Sequence, residues 1–555
     1  MTGSQYFVGV FAIVLVAGSL GVCGFQARRA LLPQWSGPLA RLAEVIIALA
    51  VMVVVAEALG TVGLLQAVPL GVVILLATVA VWAAGRRRDP DEITRHPEVR
   101  WRSPAVALSV FAAVAACGAW AGFVRPALRS GMSDWDTLWY HMPFAARFAQ
   151  TGSVTPLHYV GNQADAFIPA NAELVHTLGI LLFGNDGLSP LINVGWLALA
   201  LLAAACIGRT AGCAAASASG VAVVLALPVM ASSQAGTAKN DAAGLALLLA
   251  AMAFLVEGRG SRHAFSLSGI AAGLALGTKV TLLAPALAVG VGAVVMAPPR
   301  RRFALAGAWG AGACATGAFW YLRNVFRAGN PLPWFPIGIG PLQLPATTTP
   351  TSDCGNTTLA HYATDFQVLH QRMLPQLEVF YSQRWWMPVG LALVGIVAGL
   401  ASKAGSARLV AAVGFVALAA YVVTPATAGG PEGNPLCFGY NTRFAAAGVA
   451  AGAVALVLAL AARWPRSGAT VAAFAIAATL VATWSTGQAR LAAAALVAGL
   501  VVLAAIAIQR SAIHPAVPGL GLVLAVAVAV GWPVQKHYLS HRYRDRPLRE
   551  ATDAA

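Results

Sequence analysis

Two aspartates and a histidine fall within one short run that is rich in large aromatic side chains. The run is Ser133-Asp134-Trp135-Asp136-Thr137-Leu138-Trp139-Tyr140-His141-Met142-Pro143. Trp and Tyr favour the membrane–water interface. An acid held against aromatic rings at a lipid boundary has a proton affinity that suits general-base work. Asp134 and Asp136 are therefore candidate catalytic bases, and an interfacial loop with solvated acids is the alternative.

A second polar pair follows downstream. Glu173 and His176 are three residues apart, so they share a face if the segment is helical. Such a pair contacts a polar substrate, is simply solvated, or binds a divalent metal together with a third ligand. The sequence leaves a divalent metal open without indicating one, and it names no other cofactor. It contains no nucleotide-binding loop, no HExxH and no GxSxG.

Two lysines lie between or within apolar blocks, where a buried charge is energetically unfavourable. Lys239, in Lys239-Asn240-Asp241, lies between two apolar blocks, and Lys279 lies deep within another. Ionisable groups in such places indicate a site or an internal partner. A lysine that faces a cavity at the membrane surface would clamp a phosphate, whereas snorkelling without function is the alternative.

Three arginines and two cysteines fall in segments predicted to face outward. Arg323, Arg384 and Arg443 each lie beside a predicted span on its outer side, against the usual charge bias. An anionic lipid-linked ligand would account for them, as would ordinary lipid headgroups. Cys354 and Cys437 lie in two different outward loops, where an oxidising compartment permits a disulfide. Two free thiols are the alternative.

The elements that must position these residues are membrane-spanning helices. Hydrophobic residues make up 59% of the 555 residues and charged residues only 10%, far below the share that covers a soluble domain. Only a helix satisfies its own backbone across a bilayer, in a span of roughly 20 residues. Apolar blocks predict about sixteen candidate spans, at 6–25, 42–64, 67–85, 105–124, 187–207, 210–232, 241–257, 264–282, 283–298, 303–322, 387–402, 408–427, 444–462, 468–486, 491–509 and 516–534.

Charge distribution predicts the orientation of these spans. The net charge of +16 arises from arginine clusters between apolar blocks, such as Arg86-Arg87-Arg88 and Arg300-Arg301-Arg302. Such clusters are typical of cytoplasmic loops and argue against a nucleic-acid partner. Segments 125–186, 323–386 and 428–443 then face outward. The basic tail from Lys536 to Arg549 disagrees, because it also faces outward if all sixteen spans exist. We expect a miscounted helix near the end of the chain.

The chain resembles the multi-pass glycosyltransferases of the GT-C class, near the bacterial members related to protein O-mannosyltransferases and aminoarabinose transferases. Those enzymes carry an acidic motif, often Asp-Glu-x-x-Tyr, on an outward loop at the membrane surface. Here Asp136-Thr137-Leu138-Trp139-Tyr140-His141 matches the Asp and the Tyr, with Thr137 in place of the second acid. The run Phe167 to Leu174 also resembles the family. The likeness covers about residues 105–340.

The resemblance implies roles for the candidate residues. Asp136 would be the catalytic base, with Asp134 as helper or alternative base. Lys239, Lys279 and Arg323 would stabilise the departing donor phosphate. The predicted substrate-binding residues are Tyr140, His141, Glu173, His176, Asp241, Arg384 and Arg443.

The implied function is inverting transfer of a sugar at the outer face of the cell membrane. The donor would be a polyprenyl-phosphate sugar, and the acceptor an envelope glycan, glycolipid or protein. A transporter or lipid flippase would use the same charged residues as a path, and a structural subunit is the third possibility. The predicted organisation is N-terminal transmembrane helices at 1–104, a catalytic core at 105–340, an extracytoplasmic loop at 341–386, C-terminal transmembrane helices at 387–535 and a basic tail at 536–555.

Overall fold

The structure is a computed structural model that describes residues 2–85, 103–155, 165–258, 260–346, 354–484, 521 and 525–542. Of these residues, 78% are helical. Strands are limited, in the ranges above, to one antiparallel hairpin of β1 (Gly338–Ile339) and β2 (Leu342–Gln343), in which Gly338 lies opposite Gln343. The predicted all-α, polytopic helical class is confirmed at this level.

The helices vary widely in length. In chain order the α-helices are α1 (Gly3–Leu31), α2 (Gly37–Thr61), α3 (Ala67–Gly85), α4 (Pro104–Ser130), α5 (Met142–Thr151), α6 (Asn171–Phe183), α7 (Ser189–Gly208), α8 (Ala214–Leu225), α9 (Pro228–Gln234), α10 (Asp241–Glu257), α11 (Arg262–Leu276), α12 (Leu283–Met296), α13 (Arg302–Ala328), α14 (Phe366–Val368), α15 (Leu374–Phe380), α16 (Trp386–Ala401), α17 (Gly405–Val423), α18 (Phe438–Asn441), α19 (Ala446–Arg463), α20 (Gly468–Thr483) and α21 (Trp532–His541). Short 3-10 helices cover Asp165–Phe167, Val280–Leu282, Pro299–Arg301, Leu359–Tyr362 and Thr442–Ala445, and π-helices cover Thr137–His141, Leu369–Met373 and Ala527–Gly531.

Seven helices in the described ranges are long and apolar enough to cross a membrane by length and composition. They are α1, α2, α3, α4, α7, α17 and the continuous stretch Phe438–Arg463, and the number rises to nine if each of two bent pairs is one span. The pair α8 and α9 bends by 75°, and Val280–Met296 with Pro299–Ala328 bends by 120°.

This number is smaller than the sixteen spans that the sequence predicts. Predicted spans 387–402 and 468–486 form α16 and α20, which have only 16 residues each. The predicted span 491–509 lies outside the described residues, as do 516–520 and 522–524 of the predicted span 516–534. Apolar blocks in the sequence therefore do not translate one by one into full-length spans.

Glycines let the central helices approach one another closely. A Cβ atom on Gly317 of α13 would lie 2.7 Å from the backbone oxygen of Gly273 of α11, so a larger residue there would collide with backbone. Small residues at crossings are typical of helix packing in lipid, where backbone proximity replaces the hydrophobic effect. The largest group of buried apolar residues extends from Val16 to Leu480. The three predicted helical segments 1–104, 105–340 and 387–535 thus share one core.

The bundle has two chemically different ends. The arginine end carries Arg28 and Arg209, and Arg209 pairs there with Glu257 at the end of α10. The other end, the cavity end, carries the start of α10 at Asp241 and the residue Lys279 after α11. Chain direction alternates between neighbouring long helices. The ends of α4, α11, α13 and α17 and the starts of α10, α16 and α19 therefore gather at the cavity end.

The described part of the basic tail lies at the cavity end. The side chains of Gln535 and Tyr538 in α21 contact Asn185 (3.0 Å) and Asp186 (2.9 Å) respectively, in the turn between α6 and α7. Arg542 forms an ion pair with Asp186. The expected miscounted helix near the end of the chain stays a prediction, because 491–509 lies outside the described residues. Residues 543–555 lie outside the described residues.

Candidate active site

A cavity of about 460 Å³ opens among the helix termini at the cavity end. Its charged lining residues are Asp136, Asp165, Lys279 and Arg443. Most of the remaining wall is aromatic or aliphatic, with Trp135, Trp139, Tyr140, Ile168, Pro169, Val280, Trp334, Phe335, Pro425, Ala426, Leu436, Tyr440 and Phe444. Small polar side chains complete it at Asn240, Thr278, Thr281, Thr424 and Asn441. A mostly apolar wall with a few converging charges is typical of a ligand site.

The acidic run forms a tight helical entry to the cavity. Thr137–His141 is a π-helix that leads directly into α5, and such turns occur often at functional sites. Asp134 accepts hydrogen bonds from the backbone N–H (3.1 Å) and the hydroxyl (3.2 Å) of Thr137. The Thr137 hydroxyl also accepts from the backbone N–H of Ala238 at 3.0 Å. The acidic run is thereby fixed against the segment that carries Lys239.

Three acids and three cations alternate in a chain of ion pairs. The Lys239 ammonium lies 2.8 Å from Asp134 and 3.3 Å from Asp136. The Arg443 guanidinium lies 2.9 Å from Asp136 and 3.4 Å from Asp241. Asp241 in turn pairs with Lys279. We call these six residues the ion-pair chain, and its formal charge is zero.

Two aromatic rings form a floor under the cations. The Lys239 ammonium lies 3.8 Å and the Arg443 guanidinium carbon 4.0 Å from the centre of the Tyr440 ring. Lys279 lies 4.5 Å from the centre of the Phe444 ring. The Tyr440 hydroxyl donates to Asp134 at 2.8 Å. Cation–π contact at a desolvated site contributes roughly 2 kcal/mol per pair, so these rings hold the cations in place.

The ion-pair chain changes the proton affinities of Asp136 and Lys239. Burial raises the pKa of the Asp136 carboxyl, but the nearby charges of Arg443 and Lys239 together outweigh burial and bring that pKa below its ordinary value. Burial and the like charge of Arg443 lower the pKa of Lys239 to about 8, although Asp136 and Asp134 oppose them. At neutral pH Asp136 is therefore ionised and Lys239 is largely protonated.

The structure brings together several residues that the sequence predicts for the site. Asp136, Tyr140, Lys279 and Arg443 line the cavity. Asp134, Lys239 and Asp241 lie immediately behind its wall within the ion-pair chain. The predicted base and two of the predicted cations thus meet at one place.

Three predicted substrate-binding residues lie elsewhere. Glu173 and His176 of α6 are 0% and 1% exposed, and neither lines the cavity. His141 is equally buried and forms a hydrogen bond through its Nδ1 with Glu173. His141 and Glu173 face the protein interior because α5 packs on α6 at this point. In the structure they support the π-helix rather than reach the cavity.

The two remaining predicted arginines also lie outside the cavity wall. Arg323 of α13 is buried and donates to the backbone oxygen of Ala166 at 2.9 Å, so it fixes the loop that carries Asp165. Arg384 is exposed and borders a separate shallow groove beside Leu108 and Phe474. Donor-phosphate contact by Arg323 and substrate contact by Arg384 therefore find no support in this geometry.

A disulfide joins two segments of the cavity wall. Cys354 and Cys437 are bonded, with their Cα atoms 6.0 Å apart, and both line the cavity. Cys437 directly precedes α18, which carries Tyr440. The cross-link therefore fixes the wall next to the ion-pair chain.

Removing this disulfide is expected to lower thermal stability. The Cys354→Ser variant loses a cross-link between residues 83 positions apart, and a loop of that size contributes about 2–4 kcal/mol to the free energy of unfolding. Circular dichroism during heating in detergent should show a lower midpoint temperature. Cys314→Ser, which replaces an exposed free thiol, is the matched control and should unfold as the wild type does. Equal midpoints for both variants would contradict the prediction.

Comparison with known proteins gives no relative. The chain matches no protein-family model, no curated protein and no solved structure. Its function must therefore be inferred from the site itself.

Sequence reasoning missed the aromatic floor and part of the cavity wall. Tyr440 and Phe444 lie at the start of a predicted C-terminal span, where aromatic residues are common at membrane interfaces. The spacing Tyr440, Arg443, Phe444 was the available signal, because residues three and four apart share a helix face. Trp139 donates to Asp165 at 3.1 Å and stacks on Trp135, which adds a polar contact at the cavity mouth.

No three His, Cys, Asp or Glu side chains in the described ranges converge as metal ligands would.

Proposed function

We propose that this protein is a membrane glycosyltransferase that moves a sugar from a polyprenyl-phosphate donor to an acceptor in the cell envelope. One observation carries the proposal: the Asp136 carboxylate and the cations Lys279 and Arg443 line one cavity whose wall is otherwise mostly apolar. A carboxylate serves as a base, two cations receive a phosphate, and apolar walls accept a lipid chain. The resemblance to GT-C enzymes points to the same chemistry.

Each group has a defined task in the proposed reaction. Asp136 accepts the proton of an acceptor hydroxyl while that oxygen attacks the anomeric carbon of the donor sugar. The bond between that carbon and the phosphate oxygen breaks, and a single displacement inverts the carbon. The phosphate gains a second negative charge as it leaves. Arg443 and Lys279 stabilise that charge best in the transition state, which is where such groups accelerate a reaction.

Two features favour a site on the extracytoplasmic side. Arg28 and Arg209 lie at the opposite end of the bundle, in keeping with the positive-inside rule for a cytoplasmic face. A disulfide lies in the cavity wall, and disulfides persist in oxidising compartments. The acceptor would then be a glycan, a glycolipid or a protein of the cell envelope.

Sugar transfer in proteoliposomes tests the proposal. Purified protein should convert a radiolabelled polyprenyl-phosphate sugar and an envelope acceptor into glycosylated acceptor and free polyprenyl phosphate. Nucleotide sugars should not replace the donor. Movement of the intact lipid-linked sugar across the bilayer, without any transfer, would support a transporter or flippase instead.

A plot of kcat/KM against pH should be bell-shaped, with a wide plateau. The charges of Arg443 and Lys239 hold the pKa of Asp136 below its ordinary value, so kcat/KM should not fall between about pH 7 and 5. On the basic side kcat/KM should fall as the pH rises through about 8, because Lys239 then loses the proton that pairs with Asp134 and Asp136.

The Lys239→Arg variant is the control for the basic limb. Arginine stays charged throughout this range, so the variant should keep its remaining activity at pH 9. A basic limb that is unchanged in Lys239→Arg would assign that limb to another group.

A further inference from the structure

The cavity reaches only part of the ion-pair chain. Asp136, Lys279 and Arg443 line the cavity, whereas the other three members do not. Lys239 is 1% exposed and Asp241 is 8% exposed. An anion that enters from the cavity therefore meets two cations and two carboxylates: Asp136, which pairs with Arg443, and Asp165, which accepts a hydrogen bond from Trp139.

Asp136 is the least firmly held of the three acids. Asp134 also accepts hydrogen bonds from Thr137 and Tyr440, and Asp241 accepts one from Gln234 at 2.8 Å. Asp136 contacts, among the described residues, only the two cations Lys239 and Arg443. Within the part of the chain that the structure describes, the Asp136 carboxylate has no further hydrogen bond that would resist its release.

The rest of the chain stays paired when Asp136 leaves. Lys239 keeps Asp134 at 2.8 Å, and Arg443 keeps Asp241 at 3.4 Å. The two acids contact different nitrogens of Arg443: Nε lies 3.4 Å from Asp241, whereas Nη2 lies 2.9 Å from Asp136, so the guanidinium can exchange one partner and keep the other. A phosphate can thus dock on Arg443 without leaving an unpaired charge behind it.

From this geometry we infer that the donor phosphate exchanges with the Asp136 carboxylate on Arg443, so that the base is released only when an anionic donor is bound. The inference rests on the proposed function, since it concerns the phosphate of the same donor. In the empty site Asp136 is tied to two cations and is a weak base. With the phosphate on Arg443, the carboxylate loses its main partner, lies beside a second anion and becomes more basic. Donor binding thereby activates the base that the acceptor needs.

The exchange makes a prediction about binding that does not require turnover. If Asp136 competes with phosphate for Arg443, removing its charge must strengthen phosphate binding. Calorimetry on the full-length protein in nanodiscs, with a short-chain polyprenyl monophosphate as the probe, should give an affinity about five- to fiftyfold higher for Asp136→Asn than for the wild type. Asp134→Asn, whose acid does not contact Arg443, is the matched control and should show a smaller gain. The uncharged polyprenol should bind all three proteins alike.

A second measurement on the wild type covers the case in which Asp136→Asn fails to fold. Infrared difference spectra recorded on addition of the polyprenyl monophosphate should show a shifted carboxylate band, and the polyprenol should produce none. The band should persist in Asp134→Asn.

The possible failures are distinguishable. A wild type that binds the monophosphate and transfers sugar, without tighter binding in Asp136→Asn or a carboxylate shift, would overturn the exchange alone. A wild type that binds no polyprenyl phosphate would overturn the exchange and the proposed function together.

Discussion

Replacing Asp136 by asparagine is expected to reduce the turnover number for sugar transfer by about a hundred- to ten-thousandfold, the range that a positioned general base contributes. The amide cannot accept the acceptor proton, but it has nearly the shape of the carboxylate and can still accept a hydrogen bond from Arg443. The fold should therefore survive. Single-turnover kinetics with a radiolabelled donor would measure the loss directly.

The Michaelis constant for the donor should move in the opposite direction. Because the amide no longer competes for Arg443, the donor KM should fall while kcat falls, a combination that identifies a ground-state competition removed together with the base. Asp134→Asn is the matched control: its acid lies behind the cavity wall and pairs with Lys239. It should lose far less activity. Equal losses in the two variants would argue against Asp136 as the base.

The second large effect is expected at Arg443. Arg443→Gln removes the cation that contacts both Asp136 and Asp241. Loss of one group that stabilises a developing negative charge costs about a hundred- to a thousandfold in rate. Affinity for a polyprenyl monophosphate should also fall, because one of the two cations that line the cavity is gone. Initial rates and calorimetry would measure the two losses separately.

A double variant separates catalysis from stability at this position. Truncating one partner of a buried ion pair costs roughly 3–5 kcal/mol, because the remaining charge stays unpaired. Arg443→Gln leaves Asp134 and Asp136 to share Lys239; adding Asp134→Asn leaves Lys239 paired with Asp136 and Lys279 paired with Asp241, and should raise the unfolding temperature above that of the single variant. Sugar transfer should not return. Arg384→Gln, at an exposed residue outside the cavity, should leave both properties unchanged. Recovery of transfer in the double variant would mean that Arg443 acts only on stability.

The helical architecture could be predicted because apolar content and the cost of unpaired backbone in lipid leave few other solutions. The number of spans could not. Hydropathy does not show where a helix bends, as between α8 and α9, or where it stops short, as α16 does at 16 residues. Those features depend on which neighbours cover the chain, and this information is not local in the sequence.

The residues of the candidate site could also be predicted only in part. Asp136, Lys239 and Lys279 could be found from charge placed among apolar residues, since such charge needs a partner. Their partners could not be assigned, because Arg443 and Tyr440 come from the far end of the chain. Glu173 and His141 show the limit of the method: polar spacing marked them, yet burial directs them toward each other.

The contact between Tyr440 and Asp134 spans 306 positions of the chain, and that between Arg443 and Asp136 spans 307. During synthesis the acidic run therefore enters the bilayer long before its arginine exists. In the folded protein Asp136 pairs with Lys239 and Arg443. Of these two cations, only Lys239 has been synthesised before α18 and α19 are made. The ion-pair chain is therefore complete only after nearly four-fifths of the polypeptide has been synthesised, and a nascent chain released before Tyr440 would lack both Tyr440 and Arg443.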